Sequence, residues 1–140
     1  MTTQQNPVLY AEAIQAQLKA VLGSGIPVYA LMNRNYATEG SGFVTWQLRN
    51  VHQPVYTGTN QSIKGIDRPT FQISVFAQNA NTALAMSNTI LQSMHGYSGM
   101  YGGSEGIYVA KTDILWLYNS YDDKLGLYQI FLDATIDIPT

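Results

Sequence analysis

Two histidines are the residues of this chain that could act as a catalytic base near neutral pH. The sequence contains His52, His95 and no cysteine, which excludes thiolate catalysis, disulfides and cysteine-based zinc sites. Catalysis by a nucleophile or a general base needs two groups in hydrogen-bond reach and usually a third that orients them. Neither histidine belongs to a His-x-x-x-His or His-Glu pair. We therefore predict no catalytic residue, no metal site and no cofactor, with His52 a loop residue and His95 a helix-terminal one.

A glycine-rich segment over 96–106 is the second candidate for chemistry, because glycine loops can cradle phosphate groups. That signature requires a strand before the loop and a helix directly after it, since the helix N-terminus supplies the amide donors. Here the predicted order is helix, loop and strand. The side chains between the glycines, among them Tyr97, Met100 and Tyr101, instead indicate a loop that contacts protein. A plain linker is the alternative.

The composition of the 140 residues narrows the class of protein further. Only 11% of the residues are charged, against about 25% in a typical soluble domain, and amides and hydroxyls take their place. The net charge is −2 and there is no Lys/Arg cluster, which argues against nucleic-acid binding through phosphates. The N-terminus lacks the basic start and apolar run of a secretory signal, and no window is apolar enough to span a membrane. We expect the protein to fold in the cytoplasm where it is made.

The first half of the chain predicts one helix and three strands. Asn6-Pro7 is a good helix start, and apolar residues recur at three- and four-residue spacing, so we predict a helix over 7–22. Short strands follow over 28–32 and 43–51, the second with clean alternation, and a third covers about 70–76. The stretch 53–68 contains two Gly, one Pro and several Ser, Thr and Asn, and is predicted to be a long loop.

The second half predicts a helix and a closing hairpin. The helix runs from about 79 to 94, begun by Asn79 or Asn81 and ended at Gly96. Strands over 107–118 and 125–138 flank a turn, with a break in phase at 111–113 and with Tyr128 predicted to face the core. The order α-β-β-β-α-β-β predicts an α+β fold in one domain over 1–140. Its sheet is mainly antiparallel with both helices on one face, and the stretches 53–68 and 96–106 are insertions.

The outer face of the second helix carries no charge. From 69 to 104 no residue has a formal charge, whereas a solvated helix face usually carries Glu and Lys. A neutral face can be covered by a neighbour without desolvating an ion, and interface cores are depleted in Lys, Glu and Asp. We therefore predict a subunit interface, and a neutral face open to solvent is the alternative. The predicted interface residues are Asn81, Ala85, Asn88 and Gln92.

This arrangement resembles the tail terminator proteins of long-tailed bacteriophages, also called tail completion or tail-to-head joining proteins, the family of the lambda minor tail protein U. The similar parts are the N-terminal helix, the strand over 42–47, the long loop, the segment 68–77 that leads directly into an Ala-rich helix, and the closing hairpin. The resemblance implies a virion protein without enzymatic activity, assembled in the host cytoplasm. It implies a homo-oligomeric, hexameric ring that caps the tail tube, stops its polymerisation and joins it to the head connector.

The implied role assigns further residues. Contacts with the tail tube protein or the connector protein are expected from the two loops, at Tyr56, Asn60, Lys64, Tyr97, Met100 and Tyr101. DNA would only pass through the lumen, which suits a slightly acidic chain, and Glu39, Asp122 and Asp123 are candidate lumen residues. A turn before Gly126 is the simpler role for Asp122 and Asp123, and a cation site the other.

Two other functions stay open at this point. One is another neck or tail-tube subunit of the same kind of particle. The other, from a different class, is a small hydrolase or ligand-binding α+β domain that would use His52 or His95 with a nearby acid.

Overall fold

A computed structural model describes residues 6–34, 36–57 and 64–140 of the chain. The two helices and the strands confirm the predicted α+β class and the predicted order, with two short strands added between the second helix and the closing hairpin. None of the helices is long and apolar enough to span a membrane within these residues. The elements are α1 (Pro7–Leu22), β1 (Val28–Ala30), β2 (Phe43–Thr57), β3 (Lys64–Ala77), α2 (Ala80–Met94), β4 (Gly99–Tyr101), β5 (Ile107–Val109), β6 (Lys111–Asp122) and β7 (Leu127–Pro139).

The main sheet has five strands in the order β1-β2-β3-β7-β6. β1 pairs with β2 in parallel and the other three pairs are antiparallel. β4 and β5 form a separate two-stranded hairpin, and only Ala110 separates β5 from β6. The predicted break in phase over 111–113 therefore lies where the chain leaves the small sheet and enters the large one. The two edges of the main sheet are β1 and β6.

Both helices begin where the sequence predicts. The Asn6 side chain accepts a hydrogen bond from the backbone N–H of Leu9 at 3.2 Å, and Pro7 occupies the first turn. Asn79 caps α2 in the same way by accepting from the N–H of Asn81 at 2.8 Å. Such caps satisfy amide donors that have no partner within the helix, and each contributes about 1 kcal/mol.

The core lies between one face of the sheet and the two helices. Alternate residues of the central strands point to this face, and their cross-strand neighbours are also apolar, as in the pairs of Ile73 with Leu132 and of Val75 with Ile130. Tyr10, Ile14 and Ile90 cover them from the helices and are completely buried. Burying each large side chain of this kind contributes about 1.5–3 kcal/mol. The helical layer thus holds α2 in a fixed position over β3, β7 and β6.

The prediction of a loop over the whole of 53–68 is wrong. β2 continues to Thr57 and β3 begins at Lys64, so most of the stretch is a long antiparallel hairpin. Pro54 lies in the irregularity between His52 and Val55, where no ladder hydrogen bond is required from it. The hairpin is hidden in the sequence because the pairing joins residues far apart along the chain, such as Val51 with Pro69 and His52 with Arg68, which local composition does not indicate.

The glycine-rich segment is also more ordered than predicted. It contains β4 and a short 3-10 helix over Gly103–Glu105 that leads into β5. Gly102 and Gly103 have φ of 88° and 71°, and a Cβ at Gly106 would lie 1.7 Å from the carbonyl oxygen of Tyr101. These glycines are required by a tight turn, where larger residues would be strained or would clash. Tyr128, predicted to face the core, shares that face with its partner Ala77 but is exposed near the end of the sheet.

Candidate assembly interface

The exposed face of α2 lies between two shallow grooves. One groove, of about 470 Å³, separates the helix from Trp116 of β6 and is lined by Asn81, Leu84, Ala85, Ser87, Asn88 and Leu91 with that tryptophan. The other, of about 410 Å³, separates α2 from the C-terminal end of α1 and is lined by Leu22, Ile26, Asn81, Thr82, Ala85, Met86 and Thr89. Among the described residues that line them, neither groove has a charged one. The exposed face of α2 therefore projects between the two grooves, and a complementary surface could contact it on both sides.

Three of the four predicted interface residues line the grooves beside this exposed face of α2. Asn81 and Ala85 line both grooves, and Asn88 lines the groove beside Trp116. Gln92 is exposed one turn further on, beyond the residues that line either groove. Buried residues such as Ala83 and Ile90 hold the opposite face of α2 in the core. Because the lining groups are amides, hydroxyls and hydrocarbon, covering them would desolvate no ion.

The edge strand β6 adds a second apolar feature beside α2. Leu115, Trp116, Leu117 and Tyr118 are all exposed, Leu115 to 60% and Tyr118 to 54%. We call these four residues the β6 ridge. β6 is the last strand of the sheet, and within the described part of the chain no strand pairs with its outer edge. A strand edge with exposed apolar residues over 115–118 is a template for association with another chain.

The position of α2 explains why β6 changes character along its length. Thr112 and Ile114 are buried beneath the helix layer, and the N–H of Ile114 donates to Nδ1 of His95 at 3.0 Å. Beyond Ile114 the alternation stops, and an irregularity between Trp116 and Tyr118 shifts the register with β7. The same hydrogen bond gives His95 a structural role at the end of α2. His52 is exposed and lies in β2, opposite Arg68 of β3, and not in a loop as predicted.

The predicted contact loops are only partly placed on the surface. Tyr97 is half-buried and Met100 is exposed, both near the small hairpin. Tyr101 is completely buried and its hydroxyl bonds that of Thr112 at 2.6 Å, so the prediction of a contact role for Tyr101 is wrong. Glycines around it allow the chain to turn tightly enough to bury the ring. Asn60 and the side chains of Tyr56 and Lys64 lie outside the described part of the structure.

The three candidate lumen residues have different surroundings. Glu39 is half-buried and accepts hydrogen bonds from the Tyr29 hydroxyl at 2.7 and 3.0 Å. Asp122 accepts from the N–H groups of Lys124 and Leu125 at 2.9 and 3.1 Å, which is the turn role expected from the sequence. Asp123 is exposed. Whether any of them faces a lumen stays a prediction.

Two ion pairs lie on the opposite face of the sheet, away from both helices. Arg49 pairs with Asp133 at 2.7 Å, and Arg68 pairs with Asp137 through two hydrogen bonds of 2.6 and 3.2 Å. The hydrogen bonds to Asp137 raise the pKa of Arg68 despite partial desolvation. Burial raises the pKa of Tyr101 to about 12. No group of three or more His, Asp or Glu that could hold a metal ion occurs among the residues with a described position.

Comparison with known proteins finds a similar fold among solved structures. No protein-family model matches the sequence, and no curated protein sequence matches it either. Among solved structures, a chain from the "Virion of native gene transfer agent (GTA) particle" aligns over 94% of this chain and 92% of its own length. That pair has a TM-score of 0.50 and is 15% identical.

A second solved structure extends the comparison. It is described as an "Extracellular Contractile Injection System, PVC sheath/tube terminator in extended state", and it aligns over 99% of this chain with a TM-score of 0.52 and 12% identity. The alignment covers 58% of that longer protein. At these identities the comparisons show a shared fold, found in a chain of a gene transfer agent virion and in a sheath/tube terminator of a contractile injection system. Membership of the lambda U-like family stays a prediction.

Proposed function

We propose that the chain is a structural, non-enzymatic subunit of a phage-like tail, acting as a tail terminator. The observation that carries this proposal is the fold, which matches a virion component and a sheath/tube terminator over 94% and 99% of the chain. In this role one domain over 1–140 forms a homo-oligomeric ring that caps the tail tube, ends its polymerisation and meets the head connector. DNA passes through the lumen without specific binding.

The surface chemistry supports an assembled state. The α2 face, its two grooves and Trp116 join into one surface whose described lining residues are uncharged, and Leu115 and Tyr118 of the β6 ridge are exposed on the other face of the sheet. Monomeric proteins rarely expose contiguous apolar patches beyond a few hundred Å², and a long open strand edge promotes association. In a ring, contact with a neighbouring subunit would bury these groups. The predicted interface residues Asn81, Ala85 and Asn88 lie within this surface.

The experiment that tests the proposal measures assembly and tube length together. Purified protein is examined by native mass spectrometry and negative-stain microscopy, alone and with tail tubes of the same particle made from their purified tube protein. A terminator gives discrete rings alone and tubes that stop growing once capped. A strictly monomeric protein at every concentration, with and without tubes, overturns the proposal. Long tubes formed by the chain itself would instead identify a tail-tube subunit.

A further inference from the structure

The chain makes a strained turn where it leaves the edge strand β1. The N–H of Met32 donates to the carbonyl oxygen of Ala30 at 2.7 Å, and Leu31 between them has a φ of 66°. A positive φ is unusual for a large side chain, and a three-residue turn of this kind is rare and strained. The N–H of Leu31 donates to the carbonyl oxygen of Trp46 at 2.8 Å, which holds the turn in place. Backbone strain that the surrounding structure maintains points to a role for the residues that the turn positions.

The turn closes one side of a small pocket, which we call the Leu31 pocket. It has a volume of about 160 Å³, and Leu125 of the turn between β6 and β7 lies on its other side. Phe43 and Thr45 of β2 line it, while Val44 between them packs in the core under the helices. Because side chains alternate along a strand, the pocket lies on the face of the sheet that the helices do not cover.

We propose that the Leu31 pocket binds a single aromatic ring. An engineered apolar cavity of about 150 Å³ holds one benzene molecule, so the 160 Å³ of this pocket matches one ring. Phe43 and Phe76 line the pocket with stacked rings whose centroids are 4.8 Å apart, and aromatic side chains attract further rings by more than their buried area. Met32 adds a thioether, which also makes favourable contacts with aromatic rings.

The mouth of the pocket favours an apolar ligand as well. Leu31 and Met32 line it although they are 70% and 61% exposed, so a bound ring would remove apolar surface from water. The described residues that line the pocket are all uncharged, and a charged ligand would find no opposite charge among them. Thr45 brings one hydroxyl group to the wall, so a phenol ring fits as well as a phenyl ring. The strained turn therefore holds an apolar side chain at the rim of a binding site.

A titration followed by proton–nitrogen correlation NMR tests the site. The probes are toluene and p-cresol, which are the side-chain analogues of phenylalanine and tyrosine, and acetamide, the analogue of asparagine, is the control compound. We expect the two aromatic probes to shift the amide signals of Met32, Thr45 and Leu125 saturably in the millimolar range, because ligands of so few atoms bind weakly. Acetamide should leave these signals unchanged. The absence of saturable shifts at these amides, or equal shifts with acetamide, overturns the proposal.

Two variants at position 31 separate binding from folding. Leu31→Gly removes the rim side chain and adopts a φ of 66° without strain, so the melting temperature should not fall. The dissociation constant of p-cresol should rise at least about threefold, because part of the apolar contact is lost. Leu31→Asn, which also tolerates a positive φ, repeats the measurement with a polar side chain.

Leu115→Ala is the matched control for these variants. Leu115 is 60% exposed and does not line the Leu31 pocket, so its removal should leave p-cresol binding unchanged. Binding that is equally tight in Leu31→Gly, Leu31→Asn and the natural chain overturns the proposal. A loss of binding in Leu115→Ala as large as in Leu31→Gly also overturns it, since the effect would then not be specific to the pocket.

The source of the aromatic ring is identified by measuring assembly with p-cresol present. Oligomers of the proposed terminator are compared by native mass spectrometry with and without saturating p-cresol. Weaker assembly with p-cresol assigns the pocket to an aromatic side chain of a neighbouring subunit, and unchanged assembly with p-cresol bound assigns it to a free aromatic compound. Both results support the binding site. A protein that never assembles overturns the proposed function, whereas the titration alone decides the binding site.

Discussion

Asn88→Lys tests whether the exposed face of α2 is covered in the assembly. Asn88 lines the groove beside Trp116, and the described residues that line this groove are all uncharged. If that surface is dry in the contact, a lysine ammonium there must lose its hydration without a carboxylate to pair with. The effective penalty for an unpaired buried ion is several kcal/mol, and we take about 3 kcal/mol per contact because a lysine can partly extend to the rim. We therefore expect the association constant of each contact to fall roughly 100-fold.

The stability of the isolated subunit should hardly change. Asn88 is exposed, and surface substitutions of this kind alter the free energy of unfolding by about 0.5 kcal/mol or less. Lysine is also a better helix former than asparagine. The assay pairs analytical ultracentrifugation, which measures association, with thermal unfolding of the monomer by circular dichroism. Asn88→Ala is the matched control, because it removes the amide without adding charge and should weaken association less than tenfold.

A single result would refute this reasoning. If Asn88→Lys assembles as tightly as the natural chain while its monomer unfolds at the same temperature, the exposed face of α2 is not covered by a neighbour. A lower melting temperature of the monomer would instead show that the substitution damages the fold. In that case the measurement is repeated with Ala85→Glu, which introduces a charge at a second position on the same face of α2.

Three further predictions concern stability. The Tyr101 phenol keeps its proton to a pKa of about 12 when folded, against about 10 when unfolded, so stability is complete below pH 10 and falls as the pH rises towards 12. Tyr101→Phe should flatten that decline in urea titrations, and an equally steep decline would contradict the assignment. Tyr10→Phe removes the hydroxyl that donates to the buried Asp67, and we expect a loss of about 2–3 kcal/mol in urea unfolding. Asn79→Ala removes the cap of α2 and should cost about 1 kcal/mol, which Asn79→Asp restores.

The elements with local signals could be predicted from the sequence. α1 begins at Asn6-Pro7 and ends at Leu22 as predicted, because capping and apolar spacing are properties of neighbouring residues. α2 and the alternating parts of the central strands are confirmed for the same reason. The full length of the β2–β3 hairpin was not predicted, because it depends on pairing between residues that are distant in the sequence.

The candidate surface could be predicted only in part. The uncharged stripe on α2 is visible in the sequence because a helix face has a fixed period, and three of its four predicted residues line the grooves. Trp116 and the rest of the β6 ridge were missed. The available signal was a run of four consecutive large residues over 115–118. Strand alternation predicts that one face of this run is covered, but the helices that would cover it end near Ile114. Tyr101 was assigned to the surface because the glycines around it suggested a flexible loop.

The open edge of β6 also bears on how long a newly made subunit can remain free. β6 has twelve residues with no charge between Ile114 and Tyr121, and within residues 6–34, 36–57 and 64–140 no strand pairs with its outer edge, so it can pair with the β6 edge of another free copy. The free chain therefore faces two competing reactions, ordered association and aggregation, and both become faster as its concentration rises. Solubility on expression alone should consequently decline with expression level, and a partner present during synthesis should preserve it by removing free subunits as they form.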